Sequence, residues 1–262
     1  MTNAALHVAR TGLDAQNTKM RVIANNLANV NTTGFKRDRA DFETLSYQQI
    51  VAAGANSDSE NKFATGLNLG SGVSLQGTSK INTQGTLQET GNALDMAIEG
   101  SGFFQVQRAD GSTAYTRAGN FSVTAEGTVV TSDGLPLIPQ ITVPQGATSV
   151  TVGSDGTVSA TLQGESEPSQ LGQIELATFM NPSGLQSAGN NLLVETAASG
   201  TPQTGTAGLE GRGVIRSGNL ETSNVNVVEE LVDMIETQRA YEVNSKMIKA
   251  TDEMLQYANQ NM

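Results

Sequence analysis

The chain carries very few of the side chains on which catalysis and metal binding depend. It has no Cys and a single His, His7, which excludes cysteine nucleophiles, thiolate zinc sites and disulfide frameworks. No acidic partner and no nucleophile-elbow serine accompany His7, so the sequence does not support a Ser–His–Asp triad. We interpret His7 as a solvated or packed residue of a helix.

Glycine-rich and acidic motifs recur along the chain without the spacing that a ligand site needs. Gly70–Gly72 and Gly211–Gly213 lack the spacing and the Lys-Ser/Thr of a phosphate-binding loop. Three Asp-Gly pairs lack the alternating ligands and the terminal Glu of an EF-hand. They are Asp110-Gly111, Asp133-Gly134 and Asp155-Gly156. The sequence therefore predicts no metal site and no cofactor.

Paired carboxylates are the remaining route to an enzyme, as in glycoside hydrolysis. Glu165, Glu167 and Glu175 could form such a pair, but nothing in the sequence distinguishes them from acids that keep a surface soluble. We predict that the protein is not an enzyme and has no catalytic residue.

Composition and charge exclude further classes of protein. The 262 residues have a formal net charge of −11, which argues against a nucleic-acid partner because phosphate binding requires clustered Lys and Arg. No stretch reaches the roughly 18 apolar residues of a membrane span, so no direct membrane insertion is expected. The first residues lack the pattern of a cleaved signal peptide. Only 4% of the residues are aromatic, which favours thin β modules and exposed helices over one large core.

The longest uninterrupted pattern lies at the C-terminal end, where residues 220–262 contain no Gly and no Pro. Apolar or small side chains recur there every three or four residues, which places them along one side of a helix. The apolar members are Val227, Leu231, Met234, Tyr241, Ile248 and Leu255. Asn226 is the expected N-cap, with Glu229 in the capping-box position. A helix about 50 Å long with one narrow apolar seam needs a partner along its length.

A heptad pattern at the N-terminal end supplies a candidate partner. Leu6, Leu13, Met20 and Leu27 fall at intervals of seven, and Ile23 occupies an intermediate position. Residues 1–40 carry six basic and two acidic side chains, whereas residues 220–262 carry three basic and eight acidic ones. These opposite charges favour a matched pair of helices with coiled-coil packing. The alternative is that both are ordinary amphipathic helices packed on the body of the protein.

Polar residues interrupt both seams. Gln16 lies in the first seam, and Gln238, Ser245 and Asp252 lie in the second. We therefore expect the two helices to be loosely held in a lone subunit and firm only when many copies pack together.

The first helical pattern ends in an Asn-rich segment. Four Asn lie within the seven residues from Asn25 to Asn31, although Asn lowers helix propensity. One interpretation is that these amides bond to the backbone where the helix meets the body. The other is that they are ordinary helix-end caps.

The residues between the helices follow the period of two and the frequent glycines of short strands. We predict an α+β protein in which long N- and C-terminal helices flank a Gly-rich all-β middle, a barrel-like or sandwich-like module. The predicted division has five parts. They are an N-terminal helix (1–34), a linker with an extended excursion or hairpin (35–71), flanking β segments (72–106 and 208–222), an outer β module (107–207) and a C-terminal helix (223–262).

Two motifs near the ends of the chain resemble those of a known family. ANNLANVNTTGFK at 24–36 is similar to the N-terminal signature of the bacterial flagellar axial proteins, the rod and hook family. SGNLETSNVNVVEELVDMIETQRAYEVNSKMI at 217–248 resembles their C-terminal signature. The motif positions are Asn25, Asn26, Leu27, Ala28, Asn29, Gly34, Phe35, Ser223, Asn224, Val225 and Asn226. The chain length, the GTLQETGNALDMAIEGSGFF run at 85–104 and the single modest central module look like the distal rod members of the family.

The resemblance implies a structural subunit that self-assembles into a hollow helical tube. The terminal helices would line the inside of the wall as coiled coils, and the β domains would form the outside. Subunits would leave the cytoplasm unfolded through the flagellar type III export channel, without signal-peptide cleavage. The resulting distal rod would span the periplasm to the outer membrane, carry motor torque to the hook and pass exported subunits through its lumen.

The same resemblance implies the partners. They would be other copies of the chain, the proximal rod and hook-side axial proteins, and the ring proteins set in peptidoglycan and outer membrane. The excursion at about 42–68, polar and without a core of its own, would reach adjacent subunits and stiffen the tube.

Other functions remain as alternatives. The nearest is a proximal rod or hook subunit of the same family, against which the chain length and the excursion argue. A secreted β-rich adhesin or carbohydrate-binding module would not need heptads at both ends. A rod-associated wall hydrolase would need one indispensable carboxylate.

Overall fold

The computed structural model describes residues 2–54, 64–163 and 167–260, and these form an α+β protein. Two long helices, α1 (Thr2–Ala28) and α2 (Val227–Gln260), occupy the ends of the sequence. Short strands and one 3-10 turn, Pro182–Gly184, occupy the middle. The predicted class, with a helix at each end and a β-rich middle, is confirmed. The chain divides into two compact units, and the five-part division of the sequence stays a prediction.

The first unit contains Met1–Leu27, Asp38–Ser79 and Asn226–Met262, and therefore includes both helices. Its strands form two pairs, β1 with β4 and β2 with β3. The bounds are β1 (Asp38–Thr44), β2 (Tyr47–Val51), β3 (Leu67–Gly70) and β4 (Val73–Lys80). Of the predicted excursion, residues 55–63 lie outside the described residues.

The second unit contains Ala28–Arg37 and Lys80–Val225. Its largest sheet has the order β15-β16-β8-β7-β14-β17, and β11-β12-β13 form a smaller one. The strands are β5 (Leu87–Glu89), β6 (Met96–Glu99), β7 (Phe103–Gln107), β8 (Thr113–Thr116), β9 (Phe121–Val123), β10 (Val129–Thr131), β11 (Ala147–Val152), β12 (Thr157–Leu162), β13 (Ser169–Gln173), β14 (Glu175–Thr178), β15 (Gln186–Gly189), β16 (Leu192–Val194), β17 (Gln203–Thr206), β18 (Val214–Ser217) and β19 (Asn219–Glu221).

The core of this unit lies against both faces of the six-stranded sheet. Successive residues of a strand point to opposite faces, and Phe103 and Phe104 of β7 accordingly belong to two separate clusters. Phe104 packs edge-to-face on Phe121, with ring centroids 5.2 Å apart. Phe103 packs edge-to-face on Phe179 at 6.0 Å. Apolar burial on two sides therefore fixes the sheet although aromatic residues are few.

The first two strands of the second unit pair with its last two strands. β5 pairs antiparallel with β19, which places Leu87 opposite Glu221, and β6 pairs antiparallel with β18, which places Ile98 opposite Ile215. The first strands of the second unit and the chain that precedes α2 therefore lie side by side.

The Asp-Gly pairs lie in turns, and Gly111, Gly134 and Gly156 have φ of 81°, 78° and 88°, a backbone region that glycine adopts without strain. The barrel-like closure is not confirmed, because no sheet among the described residues closes on itself.

Candidate functional site

The α2 helix begins at a capped residue. Asn226 Oδ1 accepts a hydrogen bond from the Val228 amide at 3.0 Å, and the Asn226 carbonyl accepts one from the Glu230 amide at 3.0 Å. These are the bonds of an N-cap, so the predicted cap at Asn226 is confirmed. Glu229 and Glu230 lie in the first turn, where the helix dipole favours negative charge.

The buried Asn26 ties three segments of the first unit together. Its Nδ2 donates to the Asp38 carbonyl at 2.9 Å and lies 3.3 Å from Glu230 Oε2. Its Oδ1 accepts a hydrogen bond from the Asp38 amide at 2.9 Å. Since Asn26 and Glu230 are both almost fully buried, the end of α1, the start of β1 and the first turn of α2 share one polar contact.

A second contact fixes the relative direction of α1 and α2. A Cβ added at Gly12 would lie 3.1 Å from Asn244 Nδ2, so the two helices approach closely there. Gly12 and Asn26 are two heptads apart on α1, and Asn244 and Glu230 are two heptads apart on α2 in the reverse order. The two helices therefore run antiparallel in matching register. Coiled-coil packing between them stays a prediction.

The residues of the predicted seams differ in burial. Ile23 on α1 is buried, and its neighbours in the seam are half-buried, namely Leu6, Leu13, Met20 and Leu27. On α2, Met234 and Ile248 are half-buried. The remaining α2 members are exposed, namely Val227, Leu231 and Tyr241. The side chain of Leu255 lies outside what the structure describes.

Another face of α2 carries apolar side chains that are still more exposed. Val228 is 68% exposed near the start of the helix, and Met254 is 64% exposed near its end. We call this set the exposed stripe; it consists of Val228, Val232, Ile235, Val243, Met247 and Met254. Consecutive members are three, four, seven or eight residues apart, so they share one face of the helix. A continuous exposed apolar strip of this kind marks an interaction surface.

The β2–β3 hairpin presents a second exposed apolar surface in the first unit. Leu67 and Leu69 of β3 are both exposed and point to the same face, since they are two residues apart on a strand. Asn68 points to the other face, opposite Gln49 of β2. A two-stranded hairpin is marginally stable by itself, so an exposed leucine pair on it is suited to contact with another surface.

In the second unit, the buried carboxylate of Glu221 contacts several segments of the chain. We call this carboxylate and the groups that it binds the Glu221 cluster. The side chain of Glu221 is 0% exposed. Its Oε1 lies 2.6 Å from Lys36 Nζ and accepts a hydrogen bond from the Gly85 amide at 2.9 Å. Its Oε2 lies 3.2 Å from Arg117 NH1. One acid therefore binds groups from three distant stretches of the chain.

The two cations of the Glu221 cluster also bind backbone carbonyls. Lys36 Nζ donates to the Thr83 carbonyl at 2.7 Å, and the Arg117 guanidinium donates to the carbonyls of Ile98 and Gly100. Burial lowers the pKa of the Lys36 ammonium, and the Glu221 charge opposes that shift. Burial likewise lowers the pKa of Arg117. Both cations are almost fully buried, so their charged forms depend on the one carboxylate.

The family motif positions continue this network. Asn224 Oδ1 accepts a hydrogen bond from the Arg37 amide at 2.8 Å, and its Nδ2 donates to the Ile81 carbonyl at 2.8 Å. The Gly34 amide donates to the Glu221 carbonyl at 2.8 Å. Phe35 is buried, with the Lys80 ammonium 5.4 Å from its ring centroid. These residues join the segment after α1 to the segment before α2.

The other motif positions differ in burial. Ser223 and Val225 are buried in the second unit, where Ser223 Oγ accepts a hydrogen bond from the Val225 amide at 3.3 Å. Asn29 is half-buried, whereas Asn25 and Ala28 are exposed. The motif therefore combines structural anchors with surface residues.

The candidate catalytic groups differ in exposure. His7 and Glu167 are exposed and Glu175 is half-buried, while Glu165 lies outside the described residues. Over residues 2–54, 64–163 and 167–260, no three His, Cys, Asp or Glu side chains form a group that could hold a metal ion.

Neither helix, over the part that the structure describes, is long and apolar enough to cross a bilayer.

Sequence reasoning missed Glu221, Lys36 and Arg117 as a group. Glu221 and Arg117 are single charges next to Leu220 and Ala118, and Lys36 begins the charged run 36–39 that follows Phe35. A charge in that position is a weak signal, because long charged side chains often reach water from such sites. Only their meeting in three dimensions distinguishes them.

Family comparisons agree with both terminal motifs and with the middle. Residues 6–36 match the flagella basal body rod protein family, and residues 216–261 match the C-terminal family of the flagellar basal body rod FlgEFG proteins. Residues 97–160 match the D1 domain of the flagellar hook protein FlgE/F/G. None of these descriptions is of an enzyme family.

Whole-chain relatives agree with these matches. The chain is 53% identical over 256 residues to the flagellar basal-body rod protein FlgG of Buchnera aphidicola subsp. Acyrthosiphon pisum, covering 98% of each chain. It is 46% identical to FlgG of Caulobacter vibrioides, covering 98% of each chain. It is 38% identical to FlgF, also a flagellar basal-body rod protein, of the same organism, over 93% of this chain and 92% of that one. The chain therefore belongs to the flagellar FlgE/F/G family of rod and hook proteins.

Proposed function

We propose that the protein is the structural subunit of the flagellar distal rod. Copies of it assemble into a hollow helical tube that transmits motor torque to the hook and passes exported subunits through its lumen. The relatives named FlgG, which match nearly the whole chain, support this assignment over the proximal rod and the hook. The lower identity to FlgF within one organism points the same way.

The proposed location and partners follow from the tube. The rod spans the periplasm to the outer membrane, between the proximal rod proteins below and the hook-side proteins above, inside the rings of peptidoglycan and outer membrane. Subunits arrive unfolded through the type III export channel without cleavage of a signal peptide. Lone subunits with loosely held ends suit this route, because the ends become ordered only at the site of assembly.

The observation that carries the proposal is the exposed stripe of α2. Its side chains extend from Val228 to Met254, nearly the whole described helix. Burying a Val, Ile or Met side chain contributes about 1.5–3 kcal/mol. A partner surface that covers several of them would therefore bind with a large favourable free energy. We infer that the terminal helices of neighbouring copies cover the stripe.

A pair of matched double variants tests this inference. Ile235→Gln with Met247→Gln makes the stripe polar at two exposed positions. Glu236→Gln with Lys246→Gln changes two exposed neighbours on the same helix and likewise leaves the net charge unchanged. All four substitutions end in Gln, a good helix former, so helix propensity is nearly constant.

The two variants should differ in assembly and not in folding. Both should keep the free energy of unfolding of the subunit within about 1 kcal/mol, as surface substitutions do. The stripe variant should fail to form tubes by sedimentation and electron microscopy at concentrations where the control variant and the wild type form them. Normal tubes from the stripe variant would refute the inference that this face is an assembly surface.

A further inference from the structure

The Glu221 cluster has a property that the tube does not require. Its members come from residues near 36, 85, 117 and 221, and Lys36 and Glu221 are 185 positions apart in the sequence. The first of these segments follows α1 directly along the chain, and the last leads directly into α2. The Glu221 carboxylate thus joins the segment that follows α1 to the segment that leads into α2.

The charges make these two segments depend on each other. Lys36 and Arg117 are both buried, and Glu221 is the acid that binds each of them. If the segment that carries Glu221 were not in place, two buried cations would lack their counter-ion. Removing one partner of a buried ion pair is strongly unfavourable, because the remaining charge has left water without compensation. The burial of Lys36 and Arg117 therefore depends on the docked C-terminal segment.

Hydrogen bonds that do not involve the Glu221 side chain join the same two segments. The Arg37 amide donates to Asn224 Oδ1, and the Gly34 amide donates to the Glu221 carbonyl. The Thr222 amide donates to the Thr86 carbonyl, which holds the C-terminal segment on β5. Exchange of the Arg37 and Thr222 amides therefore measures the order of the two segments without relying on a bond to the Glu221 carboxylate.

We propose that Glu221 is a closure device: residues 34–37 and 218–225 become ordered together around its carboxylate, and neither is ordered without the other. The open state of the subunit then has neither segment docked, and the chain that follows α1 and the chain that leads into α2 are fixed in one step. This coupling is independent of polymerisation and can be measured on the dilute subunit, so its failure and the failure of the tube proposal are separate results.

Amide hydrogen exchange of the full-length chain tests the coupling. The variant is Glu221→Gln, which keeps the shape of the side chain and removes its charge. The matched control is Glu99→Gln, because Glu99 also pairs with an arginine, Arg216 at 2.7 Å, but both partners are well exposed. In Glu221→Gln the Arg37 and Thr222 amides should exchange faster together, roughly a hundredfold or more. The amide of Leu176, on the interior strand β14 of the six-stranded sheet, should stay protected, and the control should match the wild type.

A second variant maintains the test if Glu221→Gln does not fold. Lys36→Met removes one cation and leaves a neutral Glu221–Arg117 pair, so it should cost less. In Lys36→Met we expect amide exchange to be about tenfold faster at both Arg37 and Thr222, although Thr222 lies in the segment that does not carry the substitution. Faster exchange at Arg37 alone, at Thr222 alone or at neither would overturn the proposal, and so would the same change in the control.

Discussion

At the scale of single residues, Gly34 illustrates how closely the segment after α1 packs within the second unit. Its φ is 69°, and a Cβ built on it would lie 2.6 Å from the Arg117 carbonyl carbon and the Ala118 amide nitrogen. Both neighbours are backbone atoms, which cannot move aside as the end of a flexible side chain can. Glycine at this position is therefore required by conformation and by space at once.

Gly34→Ala should lower the free energy of unfolding by about 2–4 kcal/mol, from backbone strain and overpacking together. Gly91→Ala is the matched control, since Gly91 has a similar φ of 74° but no atom within 4 Å of the added Cβ. The control should cost about 1 kcal/mol, from strain alone. Urea unfolding of both variants measures the difference, and equal losses would contradict the close approach at Gly34.

Asp155 should give the second unit a measurable acid sensitivity. Its carboxylate accepts hydrogen bonds from the Thr157 amide at 3.0 Å and the Thr157 hydroxyl at 2.8 Å, and these lower its pKa below the ordinary 3.8. A carboxyl whose folded pKa lies below its unfolded pKa stabilises the fold above the unfolded value. That contribution is lost as the pH falls through the folded pKa.

Asp155→Asn removes this titration and keeps an acceptor oxygen in the turn. The wild type should exceed the variant in melting temperature at about pH 6, and the difference should shrink toward zero by about pH 2. Thermal unfolding followed by circular dichroism across this range gives the comparison. A difference that is constant with pH would show that the charge of Asp155 has no part in it.

Local residues could be assigned from sequence and distant ones could not. The N-cap at Asn226 was predictable because Asn at that position and acids in the next turn act within a few residues. The Glu221 cluster was not, since Lys36, Arg117 and Glu221 are far apart in sequence and each alone resembles a surface charge. The link depends on strand pairing between β5 and β19, which no local pattern specifies.

At the scale of elements, α2 shows where periodicity reaches its limit. The seam through Val227 and Leu231 and the exposed stripe through Val228 and Val232 both repeat at helical spacing. Periodicity alone cannot decide which face is covered, because both faces satisfy the same pattern. The structure partly covers Met234 and Ile248 and leaves the stripe open. The sequence thus predicted the helix and its start, and the choice of face needed the antiparallel α1.

The β2–β3 hairpin leads to a prediction about stiffness. If its leucine face contacts the next subunit, Leu67→Thr with Leu69→Thr should give a tube that bends more easily. Asn68→Thr with Gln49→Thr changes the opposite face of the same strand pair and should leave stiffness unchanged. Thr has good strand propensity, so the hairpin itself should persist in both variants.

Persistence length measured from electron micrographs of the two tubes makes this comparison. A clear decrease confined to the leucine variant is the expected result. Equal stiffness in the two variants and the wild type would mean that the hairpin does not brace neighbouring subunits.

At the scale of the whole molecule, the two units are stabilised in different ways. The second unit has an apolar core on both faces of a sheet and the buried ion cluster of Glu221, Lys36 and Arg117. The first unit relies on two long helices, whose described contacts with each other include the buried Asn26–Glu230 pair and the approach of Gly12 to Asn244. Local opening free energies should therefore differ widely between the two units.

This contrast explains how the fold forms with few aromatic residues. A sequence with few large side chains can still build one firm β unit, because short strands alternate buried residues on two faces. It leaves little apolar surface inside the subunit for the helices. We propose that the helices obtain the rest of their burial from other copies of the chain.

Amide exchange along α2, compared between the dilute subunit and assembled tubes, tests that claim most directly. We predict fast exchange over residues 232–254 in the dilute subunit, while the strands of the second unit stay protected, and slow exchange over the same residues once tubes have formed. Full protection of α2 in a dilute monomer, unchanged on assembly, would contradict it.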